Sequence, residues 1–215
     1  MPRNKYPEVT EEKILEAARR LFLKKGYEHT TIQDIVDELD GLTKGAVYHH
    51  FKSKEEIICA LSDKMFADSN PFTEVKKRND LNGLQKMKEV IRLNQTNTEQ
   101  TDIEMQMLPL LKNPRIFVEM LTVNHRTLTP LWQELIEEGI RDGSVKTEFA
   151  KEIAELIPLL EGIWLYPAVY PATAEELLHR FLFMKDMLCK MGVPLIDEEL
   201  TAMLKKQLFN LAKIS

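Results

Sequence analysis

The stretch Thr30–Lys54, TTIQDIVDELDGLTKGAVYHHFKSK, limits what this chain can fold into more than any other. It holds two short amphipathic helices, a glycine turn at Gly41 and the start of a further helix. The second short helix, from Thr43 to His50, has two unlike faces. At about 100° per residue, Val47, His50 and Phe51 share one stripe, and Gly45, Tyr48 and His49 share the other, with Lys44 beside Tyr48. The first stripe suits a small core. The second offers a close backbone approach, a phenolic hydroxyl, an imidazole and an ammonium. No carboxylate occurs from Leu42 to Lys54, whereas Lys44, Lys52 and Lys54 supply three cations. A short helix with one buried face and one basic, acid-free face after a glycine turn reads as the recognition helix of a helix-turn-helix.

Total charge does not produce that reading. The chain carries a net charge of −5 over 215 residues. Residues 1–60 hold ten Lys and Arg against eleven Asp and Glu, so the signal lies in placement. An acidic remainder discourages nucleic-acid binding elsewhere on the surface. The two cysteines, Cys59 and Cys189, are far apart in apolar helical contexts and fit neither a disulfide framework nor a zinc site. The opening residues MPRNKYPEVTEEK contain no apolar stretch, so no signal peptide is expected. The most membrane-like run, Leu156 to Ala172, is short, contains Glu161 and is cut by Pro158, Pro167 and Pro171, which reads as a buried helix.

In chain order, residues 1–9 read as an arm with Arg3 and Lys5 as its charges. Thr10 then caps a helix with Glu11 and Glu12 in its first turn and Ile14, Ala17, Ala18, Leu21 and Phe22 on its inner stripe. Gly26 ends it. Thr30 or Thr31 caps a helix with Ile32, Ile35, Val36 and Leu39 inward, Asp40-Gly41 turns, and Ser53-Lys54-Glu55-Glu56 opens a fourth helix by a capping box. Beyond Asn70-Pro71 a polar connector runs to Asn82. Six helical patterns follow, near 83–98, 102–112, 115–141, 148–169, 174–191 and 197–213, with Pro109, Pro130 and Pro158 expected to kink or divide them. The fold class is all-α. Residues 8–69 form a three-helix helix-turn-helix DNA-binding domain with a linking helix at 53–69, and residues 70–215 form a larger helical bundle for regulation and dimerisation.

The segment Ile14–Ile58, ILEAARRLFLKKGYEHTTIQDIVDEL…GLTKGAVYHHFKSKEEI, resembles the tetracycline-repressor (TetR) family of bacterial transcription regulators. The shared parts are a helix ending in Leu-Phe then Lys-Gly-Tyr, the Thr-Thr cap, Thr-Lys-Gly after the turn, and Tyr-His-His-Phe then Lys-Ser-Lys-Glu. One residue more than the usual spacing lies between Ile35 and Thr43, and it bears on the angle between the two helices. Position by position, the resemblance implies that Thr31 binds a phosphate at its cap and that Thr43 and Lys44 sit at the groove edge or on bases. Gly45 and Ala46 let the backbone approach, Tyr48 bonds a phosphate, His49 faces the groove and Lys54 holds a phosphate. The chemistry of the residues agrees: hydroxyls, helix N-termini and lysines position DNA, and only Lys44 and His49 have polar ends suited to base edges. His50 reads as a core or hydrogen-bonded histidine.

Such a small domain binds DNA weakly alone, so a homodimer on a near-palindromic double-stranded operator is expected. Its surface would come from 148–169 and 174–191, with Ile153, Leu156, Ile157, Leu160, Leu177, Leu178, Phe181 and Leu182. The resemblance further implies a small-molecule effector inside the bundle. Candidate contacts are Met105, Phe117, Met120, His125, Trp132, Glu161, Trp164 and Tyr166, because Met and aromatics suit adaptable apolar pockets. Glu161 interrupts an apolar run and reads either as a counter-ion to a cationic ligand or as a paired interface or surface charge. Two other readings stay open: a helix-turn-helix factor without a ligand, and an enzyme in the bundle. For the latter no P-loop, nucleophile elbow, HExxH or paired-carboxylate motif is found, so no catalytic residue is assigned. No metal site, no cofactor and no membrane partner are called for, and a cytoplasmic location is expected.

Overall fold

The computed structural model describes residues 7–39, 41–167 and 169–211, with the side chains of 9–205 among them. Arg3 and Lys5 of the arm and Asp40 of the turn lie outside these residues. The α-helices are α1 (Pro7–Lys25), α2 (Ile32–Asp37), α3 (Lys44–His50), α4 (Lys54–Asp68), α5 (Pro71–Lys76), α6 (Gly83–Thr96), α7 (Thr98–Met107), α8 (Pro114–Val123), α9 (Thr129–Asp142), α10 (Ala150–Leu159), α11 (Ala174–Lys190) and α12 (Glu198–Leu211). A 3₁₀ turn spans Leu108–Lys112, and π-helical turns span Asn124–Leu128 and Leu160–Trp164. Among the described residues there is no strand, so the all-α fold stands. Two compact units result: one up to Asn70 with Asn97–Leu108, the other Pro71–Thr96 and from Pro109 onward. The break at 69/70 is therefore crossed once, by the segment that carries α7.

In the first unit, Ile14, Ala17, Ala18, Leu21 and Phe22 of α1 are buried, as their spacing requires. Ile35 and Val36 of α2, Val47 of α3, and Ile57, Ile58 and Leu61 of α4 meet them in one core, which Ile103 of α7 completes. Each such aliphatic side chain contributes roughly 1.5–3 kcal/mol by leaving water. The ends of the helices are closed locally. Gly26 takes φ +85° and returns its N–H to Phe22 O at 2.9 Å. The first helix begins at Pro7, one turn before the expected cap Thr10. Proline suits that position because its missing N–H would have had no partner.

The second unit is centred on α9, against which α6 and α10 pack. Gly83 at the start of α6 faces Gly139 of α9 so closely that a β-carbon on Gly83 would collide with the α9 backbone. Met87, Val90, Trp132, Leu135, Ile136, Ile153 and Ile157 fill the space between these helices. The nearly buried Lys86 is neutralised by Glu138 at 2.6 Å. Along α11, Leu177, Phe181, Met184 and Leu188 point inward at i, i+4, i+7 and i+11.

One expectation is corrected. Residues 71–76 of the connector form α5, with Phe72 and Val75 buried and Phe72 edge-on to Trp132 at 5.1 Å. Two apolar residues in a polar stretch are too few to show a period. Pro109 falls in the 3₁₀ turn that follows α7, Pro130 lies in the first turn of α9 just after a π-helical turn, and Pro158 lies near the end of α10 just before one. At the first of these wider turns Thr129 N–H donates to Asn124 O five residues back, and at the second Leu165 N–H reaches Leu160 O at 3.0 Å.

Candidate nucleic-acid interface

Three side-chain caps shape the surface formed by α2, α3 and α4. Thr31 accepts from Asp34 N–H at 3.1 Å, while Asp34 Oδ2 accepts from Thr31 N–H at 2.7 Å and from its hydroxyl at 2.8 Å. Thr43 accepts from Ala46 N–H at 3.2 Å, and Ser53 from Glu56 N–H at 3.2 Å. The expected capping box at Ser53 is displaced by one residue, because Glu56 takes the N–H of Lys52 at 2.6 Å. Between α2 and α3, Gly41 adopts φ +78° and Leu42 N–H closes on Leu39 O at 3.2 Å. A left-handed residue is the means of reversing the chain in so few residues, and glycine adopts it without a β-carbon clash.

The two faces of α3 separate as its sequence predicts. Val47 is fully buried and Phe51 is 6% exposed, while Thr43, Lys44, Gly45, Tyr48 and His49 are exposed, Tyr48 to 45%. Ala46 and His50 are half-buried at the edges, and His50 meets His49 edge-on at 5.5 Å. The face carries one ammonium, one phenol and one imidazole, with a backbone approach at Gly45. Nearby acids are occupied: Lys25 holds Asp34 at 2.9 Å, and Gln33 donates to Asp37 at 2.8 Å. The Lys25 ammonium and the Thr31 backbone together hold the Asp34 carboxyl down at about 2.

Lys54 has a use that its sequence does not disclose. Its Nζ donates to Tyr27 O at 2.8 Å and Thr30 O at 2.9 Å, and lies 4.0 Å from the centre of the Tyr27 ring. It thus ties α4 to the loop that presents Thr31. Gln106 of α7 grips the other side of that loop. Its Oε1 accepts from Tyr27 N–H at 2.7 Å, and its Nε2 donates to Phe22 O at 3.3 Å. Both groups lie at the C-terminal end of α1 or just past it, where helical partners run out. The separation in sequence of these partners leaves no local signal for Gln106. Arg19 of α1 pairs with Glu99 of α7.

The candidate effector contacts do not gather at one point. Met105 belongs to the first unit, and Trp132 is 3% exposed and packed on Phe72 as core. Phe117, Met120, Trp164 and Tyr166 are half-buried in the second unit, whereas His125 and Glu161 are exposed. Trp164 stands edge-on to Phe183 at 5.8 Å, and its carbonyl accepts from Arg180 at 3.1 Å. An open cleft of about 580 Å³ lies elsewhere, lined by Asn79, Asp80, Asn82, Glu138 and Asp142 among others. None of the candidate contacts borders it. Of the proposed dimer residues, Ile153, Ile157, Leu177 and Phe181 are buried within this chain, and the exposed apolar residues of α10 and α11 are Leu159, Leu182 and Phe183. Among the described residues no helix is long and apolar enough to cross a membrane.

A capped short helix that buries valine and exposes an acid-free basic face, entered through a glycine turn, defines a helix-turn-helix DNA-binding domain. Residues 14–61 match the sequence profile TetR_N, described as bacterial regulatory proteins, tetR family. The regulator TtgR of Pseudomonas putida is 39% identical over 71 residues, 33% of each chain. The chain thus spans about a third of the length of the first curated relatives it matches. The transcriptional repressor KstR2 of Rhodococcus jostii is 28% identical over 154 residues, 66% of this chain and 70% of its own. A transcriptional regulator from Cytophaga hutchinsonii shares the fold at TM-score 0.59, with 18% identity and 96% of each chain covered. Residues 14–61 therefore carry the N-terminal domain of the tetR family of bacterial regulatory proteins.

Proposed function

We propose that the protein is a homodimeric repressor that binds a near-palindromic double-stranded operator and leaves it when a small molecule occupies the second unit. The observation that carries the reading is the exposed face of α3, where Thr43, Lys44, Gly45, Tyr48 and His49 stand clear of a buried Val47. On this reading residues 8–69 are the DNA-binding domain and residues 70–215 the regulatory and dimerisation domain. Lys44 and His49 meet base edges, Thr31, Thr43 and Tyr48 meet phosphates, and Gly45 and Ala46 admit the DNA backbone. Lys54 acts by holding the loop that carries Thr31. A second copy of the chain would cover Leu159, Leu182 and Phe183.

The test is footprinting of the DNA flanking the gene's own promoter. Protection of two half-sites about 34–36 Å apart, centre to centre, is the expected result. Protection of one isolated half-site would remove the dimer from the account, and no protection at any palindrome would remove the operator.

A further inference from the structure

The α2 helix is only six residues long, too short to hold itself in place, and Ile35 and Val36 are its buried side chains. The position of its first turn therefore depends on the loop that enters it. That loop leaves α1 through the left-handed Gly26 and ends on the cap Thr31. Most of its polar groups are satisfied by near neighbours. Gly26 N–H donates to Phe22 O at 2.9 Å. Thr30 donates twice, from its hydroxyl to Gly26 O at 2.8 Å and from its N–H to Tyr27 O at 3.1 Å. Thr31 N–H goes to Asp34. The Tyr27 N–H goes to none of these neighbours: its acceptor is Gln106 Oε1, 79 residues on, at 2.7 Å.

Gln106 reaches the loop from a fixed base. On α7 the inward residues Gln100 and Ile103 are buried three apart, and Gln106 continues that stripe. The Arg19–Glu99 pair ties the same helix to α1. Both ends of the Gln106 amide are used. Nε2 donates to Phe22 O at 3.3 Å in the last turn of α1, while Oε1 serves Tyr27 beyond Gly26. A residue that only closed the end of α1 would need a donor alone, because helix C-termini leave carbonyls without partners. Here the shorter bond is to a loop N–H. Leu or Met would fill a comparable volume without either bond, Lys or Arg would only donate, and an ionised Glu would only accept. The amide bridges helix and loop because it carries a donor and an acceptor side by side.

We propose that Gln106 is a positioning residue for operator binding. Its amide fixes the loop at Tyr27, and the loop in turn places Thr31 and the first turn of α2 against the DNA backbone while α3 lies in the groove. The assignment rests on the reading of the α2–α3 surface as the DNA interface, with Thr31 on a phosphate. Lys54 holds carbonyls of the same loop from α4, so the loop is gripped from two helices. Contacts that set register on an operator need a defined geometry, whereas non-specific binding needs chiefly positive charge. Gln106 carries no charge, so it matters for the first and not for the second.

The test compares Gln106→Leu with the wild type, as full chains with native circular dichroism spectra, on the footprinted operator fragment and on an unrelated duplex of equal length. Fluorescence anisotropy should show about a tenfold loss of operator affinity, the order set by two neutral hydrogen bonds. Affinity for the unrelated duplex should not change. Hydrogen exchange at the Tyr27 amide should be faster in the variant. In a Thr31→Ala background, Gln106→Leu should cost operator affinity no more than about twofold, because the loop then has no hydroxyl left to place. If Thr31→Ala does not fold, ethylation of single operator phosphates takes its place: a phosphate whose ethylation weakens the wild type should be indifferent in Gln106→Leu. Equal losses on both duplexes, or a loss of stability in urea with operator affinity intact, would make Gln106 a structural residue only and overturn the assignment. So would a Tyr27 amide that exchanges at the wild-type rate, losses that add in the double variant, or an unchanged ethylation pattern. A wild type that binds both duplexes alike would overturn the DNA-binding reading itself, and exchange at Tyr27 reports on the bond independently of that outcome.

Discussion

What a charged side chain does depends on the groups within its reach. Lys54 sits in the first turn of α4, where a cation opposes the helix dipole, and a phosphate partner is the natural expectation from sequence. Its ammonium instead bonds two carbonyls of the loop before α2 and covers the Tyr27 ring. Lys54→Met keeps the apolar stem and deletes these bonds. Unfolding in urea should show a loss of about 1.5–3 kcal/mol, the range for hydrogen bonds to a charged group. Operator affinity should fall while its salt slope stays unchanged, whereas a slope smaller by about one would mean a direct phosphate contact.

The elements of the first unit were legible because their information is local. The stripe Ile14 to Phe22, the caps Thr31, Thr43 and Ser53, and the opposed faces of α3 lie within one or two turns of each other. The buried and exposed faces of α3 were legible for the same reason. What was illegible depends on partners distant in sequence. Trp132 resembles a pocket residue until Phe72 is seen against it, and Gln106 is an ordinary polar residue until Tyr27 and Phe22 are placed beside it. The π-helical turns escape any reading at a fixed 100° per residue. The turn between α2 and α3 is the element most exposed to a single change. Gly41→Ala forces a β-carbon into φ +78° and should cost about 1–2 kcal/mol by chemical denaturation. If the variant is as stable as the wild type, the turn does not need a left-handed residue.

At the scale of the whole molecule, a net charge of −5 and a small basic face act together. An acidic net charge disfavours non-specific DNA binding, so specific binding should depend strongly on counterion release. Each phosphate neutralised steepens the slope of log affinity against log salt by about 0.9, and a dimer doubles the number. An affinity insensitive to salt between 50 and 200 mM, on the order of the range where such complexes weaken, would contradict the phosphate contacts. The central claim is that the exposed side of α3 reads the operator, and one measurement addresses it directly. Lys44→Ala with Tyr48→Ala removes two exposed side chains, so the chain should remain a folded dimer by circular dichroism and light scattering. In a gel-shift titration against the protected promoter fragment at fixed salt, the account predicts that specific binding by this variant is abolished. A shift at the wild-type concentration would contradict it.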